Sequence, residues 1–205
     1  MKSNTFELSA KVVVTPSRFL ATIQGIDGCL FNKAPDLSDQ AGNKDKRVKD
    51  KHAEELRTWR NKLHTNADGE VIWPGENLHE MLKGAAKYWG ATVPGEGKKT
   101  YTNIVLNAVV VEDMPLGIKA DDDKAIIPYG KNCNATPTKP KGGLVYRIRP
   151  FVRPWGGSFV IHVFDERINL NVLSTLLTYG GQFGGMGDWR PKFGRFNLTN
   201  LEKLD

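Results

Sequence analysis

Two stretches of this chain repeat their hydrophobic residues at the spacing of an amphipathic helix. Glu76–Trp89 has apolar residues at i, i+3, i+4, i+7, i+8 and i+11, which predicts a buried face made of Leu78, Met81, Leu82, Ala85, Ala86 and Trp89. Asn169–Tyr179 repeats its leucines similarly, with Asn169 as the predicted N-cap and Gly180 at the C′ position. A third helix is predicted over His52–His64.

Strands are predicted where β-branched and aromatic residues cluster or alternate. These segments are Phe6–Val14, Phe19–Ile26, Thr102–Val111, Leu144–Val152, Ser158–Phe164 and Phe193–Leu198. The turn residues of Arg153–Gly157 predict a hairpin between the fourth and fifth segments. The order strand, helix, strand, strand, helix, strand predicts an α+β fold with a ferredoxin-like or RRM-like (βαββαβ) core.

Two polar segments interrupt this predicted core. Asn32–Lys51 has almost no apolar residues, and Glu112–Gly143 combines four prolines with an aspartate run and several lysines. Long irregular stretches inside a compact domain are typical of functional loops or projecting hairpins. We therefore predict a single domain over residues 1–205, with insertions at about 32–64 and 112–143.

Charge and cysteine content narrow the class of protein. The net charge of +6 favours a polyanionic partner. Two distant cysteines, Cys29 and Cys133, give no disulfide framework, and no apolar run approaches the length of a membrane span. The expected protein is therefore cytoplasmic and has no membrane partner.

Candidate ligand-binding residues are concentrated in Gly180–Phe196, which we call the glycine-rich loop. It holds six glycines, and its basic and aromatic residues lie between them. Because glycine lacks a Cβ, its backbone amides can approach a phosphate closely, while cations and rings bind phosphates and stack on bases. The candidate binding residues are Gly184, Gly185, Trp189, Arg190, Lys192 and Arg195. The alternative is a wide turn that uses glycine for its positive φ angles.

Two further groups of basic residues are candidates for phosphate binding. Arg147, Arg149 and Arg153 alternate along one predicted strand, with Trp155 at the hairpin tip; the alternative is an exposed arginine ladder held in salt bridges. The other group is Lys83 and Lys87, which lie one helical turn apart and off the buried stripe. These lysines matter only if the glycine-rich loop lies beside them.

The sequence offers little support for catalysis. None of the four histidines occurs at a metal-ligand spacing, and His162 is expected to be a hydrogen-bonded strand residue. Asp121–Asp123 is expected to be a solvated loop. There is no nucleophile or dinucleotide motif. We therefore predict no catalytic residue, no metal and no cofactor, and a non-enzymatic role is favoured.

Two motifs resemble those of the RAMP superfamily, and most closely its guide-RNA-binding backbone subunits in CRISPR effectors. Ile72-Trp73-Pro74-Gly75-Glu76-Asn77-Leu78, followed by Met81-Leu82-Lys83-Gly84, is similar to the motif I-P-G-S-S-L-K-G-x-L-R. The glycine-rich loop is similar to the C-terminal loop G-G…R…G-x-G-R. Glu76 and Asn77 stand where the family motif has two serines.

The resemblance implies an RRM-like, non-catalytic subunit that binds single-stranded RNA, or ssDNA, through its phosphates. It implies side-by-side assembly of copies with other effector subunits, with Glu112–Gly143 as a thumb-like projection. The compact size and divergent motifs also suit a phage- or mobile-element-encoded relative. Two alternatives stay open: a RAMP-like endoribonuclease with His64 or His79 as general base, and a phage-encoded ssDNA-binding or structural interaction protein.

Overall fold

The computed structural model describes residues 15–34, 51–130, 137–138 and 145–204. Their regular elements, in chain order, are β1 Ser17–Gly25, β2 Cys29–Leu30, α1 Lys51–Thr58, β3 Glu70–Trp73, α2 Gly75–Trp89, α3 Tyr101–Ala108, β4 Val109–Val111, β5 Met114–Lys119, β6 Ile126–Tyr129, β7 Pro137–Thr138, β8 Val145–Tyr146, β9 Arg149–Val152, β10 Gly156–Val163, α4 Leu170–Tyr179 and β11 Phe196–Lys203. A 3₁₀ turn, Trp59–Lys62, follows α1, and a π-helical turn, Gly180–Gly184, follows α4.

The central sheet has the spatial order β11–β1–β10–β4, and each neighbouring pair is antiparallel. Helix α2 lies in the connection from β1 to β4, and α4 lies in the connection from β10 to β11. Numbered within the core alone, this is strand order 4-1-3-2 with two crossover helices, the βαββαβ arrangement. The predicted α+β, ferredoxin-like core is confirmed.

Helices α2 and α4 pack against each other and against the strands of this sheet. The predicted face of α2 is buried, with Trp89 partly buried at its end. On β1 the buried residues alternate as Phe19, Ala21 and Ile23, because successive side chains of a strand point to opposite faces. Burial of each large apolar side chain stabilises the fold by about 1.5–3 kcal/mol. Among the described residues, no helix has the length and apolar character needed to cross a membrane.

The strand predicted over Thr102–Val111 is mostly a helix. Its first part forms α3, and only Val109–Val111 forms a strand, β4. Tyr101, Ile104 and Val105 lie at i, i+3 and i+4 and are buried where α3 packs beside α2. Tertiary packing of this face therefore outweighs the β-propensity of the segment.

The hairpin predicted around Arg153–Gly157 does not form. Strand β9 pairs with β2 and β6 in a separate three-stranded sheet, whereas β10 pairs with β1 and β4 in the central sheet. The chain therefore passes from one sheet to another at this point. Strands β9 and β10 are adjacent in sequence but pair with different strands in different sheets.

The segment 112–143 contains more regular structure than its composition predicts. Strand β5 pairs with β3, which leads into α2, and β6 pairs with β9. The predicted strand Phe6–Val14 and most of the predicted polar loop Asn32–Lys51 lie outside the described residues. The predicted strand Phe19–Ile26 corresponds to β1, and the predicted last strand begins at Phe196 and runs to Lys203.

Candidate nucleic-acid interface

The glycine-rich loop begins as a continuation of α4. The side chain of Asn169 accepts hydrogen bonds from the backbone N–H groups of Asn171 and Val172, so it caps the helix as predicted. Gly180, predicted at the C′ position, does not end the helical segment: its φ is −58°, and a π-helical turn runs from it to Gly184. A Cβ on Gly180 would lie 2.2 Å from Met81 Sδ, so this glycine serves close packing of two helices.

Backbone hydrogen bonds fix the loop to the turn between β1 and β2. The N–H of Asp188 donates to the carbonyl of Leu30 at 2.8 Å, and the N–H of Gly194 donates to Gly28 at 3.1 Å. The N–H of Ile26 donates to the carbonyl of Arg195 at 2.8 Å. The loop is therefore held in one conformation before any ligand binds.

Three cations, Arg190, Lys192 and Arg195, project from this anchored loop, and we call them the loop cations. All three are exposed. Within the part of the chain that the structure describes, none of them forms a salt bridge with a carboxylate. The ammonium of Lys192 lies 4.7 Å from the ring centroid of Trp189, a cation–π contact. The surface is positive and its guanidinium groups remain available to a phosphate.

Trp189 is held on the surface by an unusual backbone conformation. Its φ is +56°, the only positive φ outside glycine among the described residues, and the residue is 37 % exposed. The Asp188 carboxylate accepts a hydrogen bond from the Trp189 N–H at 2.8 Å. The indole packs edge-on to Phe193 and Tyr129. A bulky residue in this region is strained, and such strain is concentrated at functional sites.

The outer face of α2 lies directly beside the glycine-rich loop. A cavity of about 330 Å³ separates them, with Glu80 and Gly84 on the helix side and Gly184 and Arg190 on the loop side. We call it the α2–loop cavity. The helix that carries Lys83 and Lys87 therefore lies beside the glycine-rich loop, although neither lysine lines the cavity.

The two lysines of α2 differ in their freedom to bind phosphate. Lys83 is partly buried and donates a hydrogen bond to the carboxylate of Glu80. That bond lowers the pKa of Glu80 below its usual value, so the carboxyl group stays ionised near neutral pH. Lys87 is exposed and has no salt bridge with a described residue. Of the pair, Lys87 is the cation open to a ligand.

The predicted basic strand face does not exist. Arg147 and Arg153 are exposed, but Arg149 is buried and its guanidinium pairs with the carboxylate of Asp188. Trp155 is 2 % exposed, and its Nε1–H donates to the carbonyl of Asp27 at 2.6 Å. The predictions of Arg149 and Trp155 as ligand-binding residues are wrong for this conformation, because both are already enclosed by the protein.

The N-terminus of α2 is occupied by a carboxylate from the same chain. The side chain of Asp113 accepts a hydrogen bond from the Gly75 N–H at 2.8 Å, where an anion would otherwise be stabilised. A Cβ on Gly75 would lie 2.0 Å from the carbonyl oxygen of Val111, so glycine permits this close approach. The helix start is therefore a structural junction.

The histidines and aspartates considered in the sequence analysis mostly form hydrogen bonds or ion pairs within the protein. His79 Nε2 lies 3.1 Å from the carbonyl of Val105, and His162 pairs with Glu112 at 2.6 Å, as expected for a hydrogen-bonded strand histidine. The Asp122 carboxylate accepts two backbone N–H groups of its own turn, and Asp123 pairs with Arg60. No group of metal-binding side chains is found among the described residues.

Sequence reasoning missed an aromatic cluster beside the loop. Tyr88 and Phe183 stack with ring centroids 4.8 Å apart and an interplanar angle of 17°, and both are exposed. Tyr179 contacts both rings from the end of α4. The available signal was Tyr88 itself, an aromatic residue on the polar side of an otherwise regular amphipathic helix.

The strands, helices and exposed groups together define a ferredoxin-like α+β protein with a cationic, aromatic surface on its helical side. No protein-family model matches the sequence, and no curated protein matches it. Among solved structures, this chain resembles one described as "Cryo-EM structure of the Type III-B Cmr-beta bound to cognate target RNA". The two chains are 11 % identical with a TM-score of 0.49, and the match covers 92 % of this chain and 61 % of that chain.

Proposed function

We propose that this chain binds single-stranded nucleic acid, with RNA as the preferred strand, along the surface between the glycine-rich loop and α2. The observation that supports this most directly is the set of exposed loop cations without carboxylate partners among the described residues, next to exposed Trp189. Cations supply affinity for the backbone, and aromatic faces supply sequence-tolerant stacking.

Each part of the surface has a separate role in this proposal. The loop cations and Lys87 contact phosphates, and Trp189 stacks on a base. Gly184 is exposed and a Cβ there would meet no atom within 4 Å, so a backbone phosphate can approach the main chain closely. Arg149 and Asp188 hold the loop in place without touching the nucleic acid.

The open face of the central sheet is a weaker candidate for the binding surface. Its side chains include Leu20 and Thr22 on β1 and Ser158 and Val160 on β10, opposite one another in register. Thr22 and Ser158 hydrogen-bond to each other at 2.8 Å. A sheet that binds RNA needs aromatic rings for stacking, and these four positions supply none.

We further propose that copies of the chain assemble side by side along a nucleic-acid strand, as a backbone subunit of a CRISPR-type effector, with the predicted insertion at about 112–143 facing the neighbouring subunit. The similarity of the proline–glycine and glycine-rich motifs to the RAMP superfamily supports this arrangement. A role as a phage-encoded ssDNA-binding protein would use the same surface and the same chemistry.

Binding is tested by fluorescence anisotropy with labelled single-stranded RNA, single-stranded DNA and RNA duplex of equal length. The wild type is compared with the triple variant Arg190→Ala, Lys192→Ala, Arg195→Ala. The matched control removes three exposed lysines elsewhere, Lys98, Lys124 and Lys203. We expect the first variant to lose affinity for every single strand and the control to retain it. Equal losses in both would refute the assigned surface.

A second candidate function is RNA cleavage with His64 as general base. The side chain of His64 is half-buried, and burial, reinforced by the charge of Lys33, lowers its pKa. The imidazole is therefore neutral at pH 7, the state in which it can accept a proton. Incubation of labelled RNA with wild type and His64→Gln, with and without Mg²⁺, tests this. RNA left intact by the wild type eliminates the nuclease.

A further inference from the structure

The α2–loop cavity has the size and lining of a site for one flat ring. Its volume of about 330 Å³ lies at the lower end of the range of about 300–1,000 Å³ that is typical of small-molecule sites. Tyr88, Tyr179 and Phe183 are among the residues that line it. Since Tyr88 and Phe183 already stack nearly parallel and remain exposed, another planar ring can extend the stack.

The charges at the cavity determine which part of a nucleotide can enter. Glu80 and Arg190 both line it, and they lie close enough for Arg190 to act electrostatically on the Glu80 carboxylate. A carboxylate repels phosphate, so a base must face Glu80 while the phosphate lies towards Arg190. The hydrogen bond from Lys83 reaches Oε1 of Glu80, which leaves Oε2 and a further lone pair of Oε1 for a ligand.

Resting on the proposed function, we infer that the cavity receives a guanine base, stacked on the Tyr88–Phe183 pair with its N1–H and N2–H₂ groups donating to Glu80. An ionised carboxylate only accepts hydrogen bonds, and guanine presents two adjacent donors on its Watson–Crick edge. Adenine and cytosine offer one exocyclic amine each, and uracil a single ring N–H. The guanine comes from a bound strand or from a free guanine nucleotide.

Gly84 allows the cavity to be filled without damage to the fold. It is exposed in the middle of α2, and a Cβ there meets no atom within 4 Å. Leucine favours the helix over glycine, and a helical side chain lies over the preceding turn, which here carries Glu80. Gly84→Leu therefore fills the cavity with unchanged or higher thermal stability. Gly84→Ala is the matched control, since it adds one methyl group and leaves most of the space open.

The test compares labelled U₁₂ with U₁₂ carrying one central G or one central A, and adds titration with free GMP and AMP. We expect the G-containing strand to bind about 5- to 150-fold more tightly than U₁₂, the range for a bidentate base contact. Gly84→Leu and Glu80→Gln should remove this preference. Lys83→Met should keep it, because the carboxylate remains.

Each outcome separates the cavity from the wider binding surface. Equal binding of all three strands would overturn the guanine site and leave the single-strand function standing. GMP binding that Gly84→Leu abolishes, without binding of any strand, would support the site with a free nucleotide as its ligand and refute the proposed function. Absence of binding to strands and to GMP would overturn both. A guanine preference that survives Gly84→Leu would place the base elsewhere and contradict the inference.

Discussion

The buried guanidinium of Arg149 pairs with the carboxylate of Asp188, which joins strand β9 to the glycine-rich loop. The second carboxylate oxygen of Asp188 accepts a hydrogen bond from the N–H of Trp189. One aspartate therefore ties the loop to the smaller sheet and also sets the backbone of the exposed tryptophan. Arg149 is a candidate phosphate ligand in the sequence, but in the structure it positions the glycine-rich loop, whose cations and Trp189 remain exposed.

Asp188→Asn should destabilise the protein by about 1.5–3 kcal/mol, because it leaves the charge of Arg149 buried without a counter-ion. Urea denaturation measures this as a lower midpoint with an unchanged slope. The control is Glu54→Gln, which removes the ion-pair partner of exposed Arg57. We expect that control to leave the midpoint unchanged within error. Similar midpoints for both variants would show that the Arg149–Asp188 pair does not support the fold.

Trp189→Gly should weaken binding of single strands by about 1–3 kcal/mol, the usual contribution of one stacked base. Glycine accommodates the φ of +56° without strain, so the change tests stacking rather than backbone geometry. Trp189→Phe retains an aromatic face and should bind nearly as well as the wild type. Anisotropy titrations at fixed salt measure both variants. If phenylalanine and glycine weaken binding equally, the indole does not act by stacking.

The salt dependence of binding should report the number of phosphates contacted. For single strands, log K falls with log[salt] by about 0.7 per phosphate contact. Removal of the three loop cations should therefore reduce the slope by about 2, whereas removal of Lys98, Lys124 and Lys203 should not alter it. Titrations at several salt concentrations give the slope. A lower affinity with an unchanged slope would mean that the loop cations act on the fold and not on phosphate.

Asn169→Ala should lower the stability by about 1 kcal/mol, because two backbone N–H groups at the start of α4 lose their acceptor. Asn169→Asp should retain most of it, since a carboxylate caps equally well and favours the helix dipole. Thermal and urea denaturation measure both. Because α4 leads directly into the glycine-rich loop, hydrogen exchange of the loop amides should also be faster in the alanine variant.

Elements whose signal is local follow directly from the amino-acid pattern. The spacing of Leu78, Leu82 and their neighbours defined α2, and Asn169 marked the start of α4, because an amphipathic stripe and an N-cap depend only on residues within a few turns. The order of these elements was enough to predict the βαββαβ core. The concentration of glycine, cations and rings in the loop was also visible along the chain.

Which surfaces meet depends instead on long-range packing. Ile104 and Val105 are predicted as strand residues from their β-propensity, but they lie in helix α3, which packs beside α2. Arg149 found its carboxylate in a distant loop, and Trp155 was buried. Periodicity reports which side of an element is buried but not what covers it. The cavity between α2 and the glycine-rich loop therefore arises from long-range packing that no local pattern encodes.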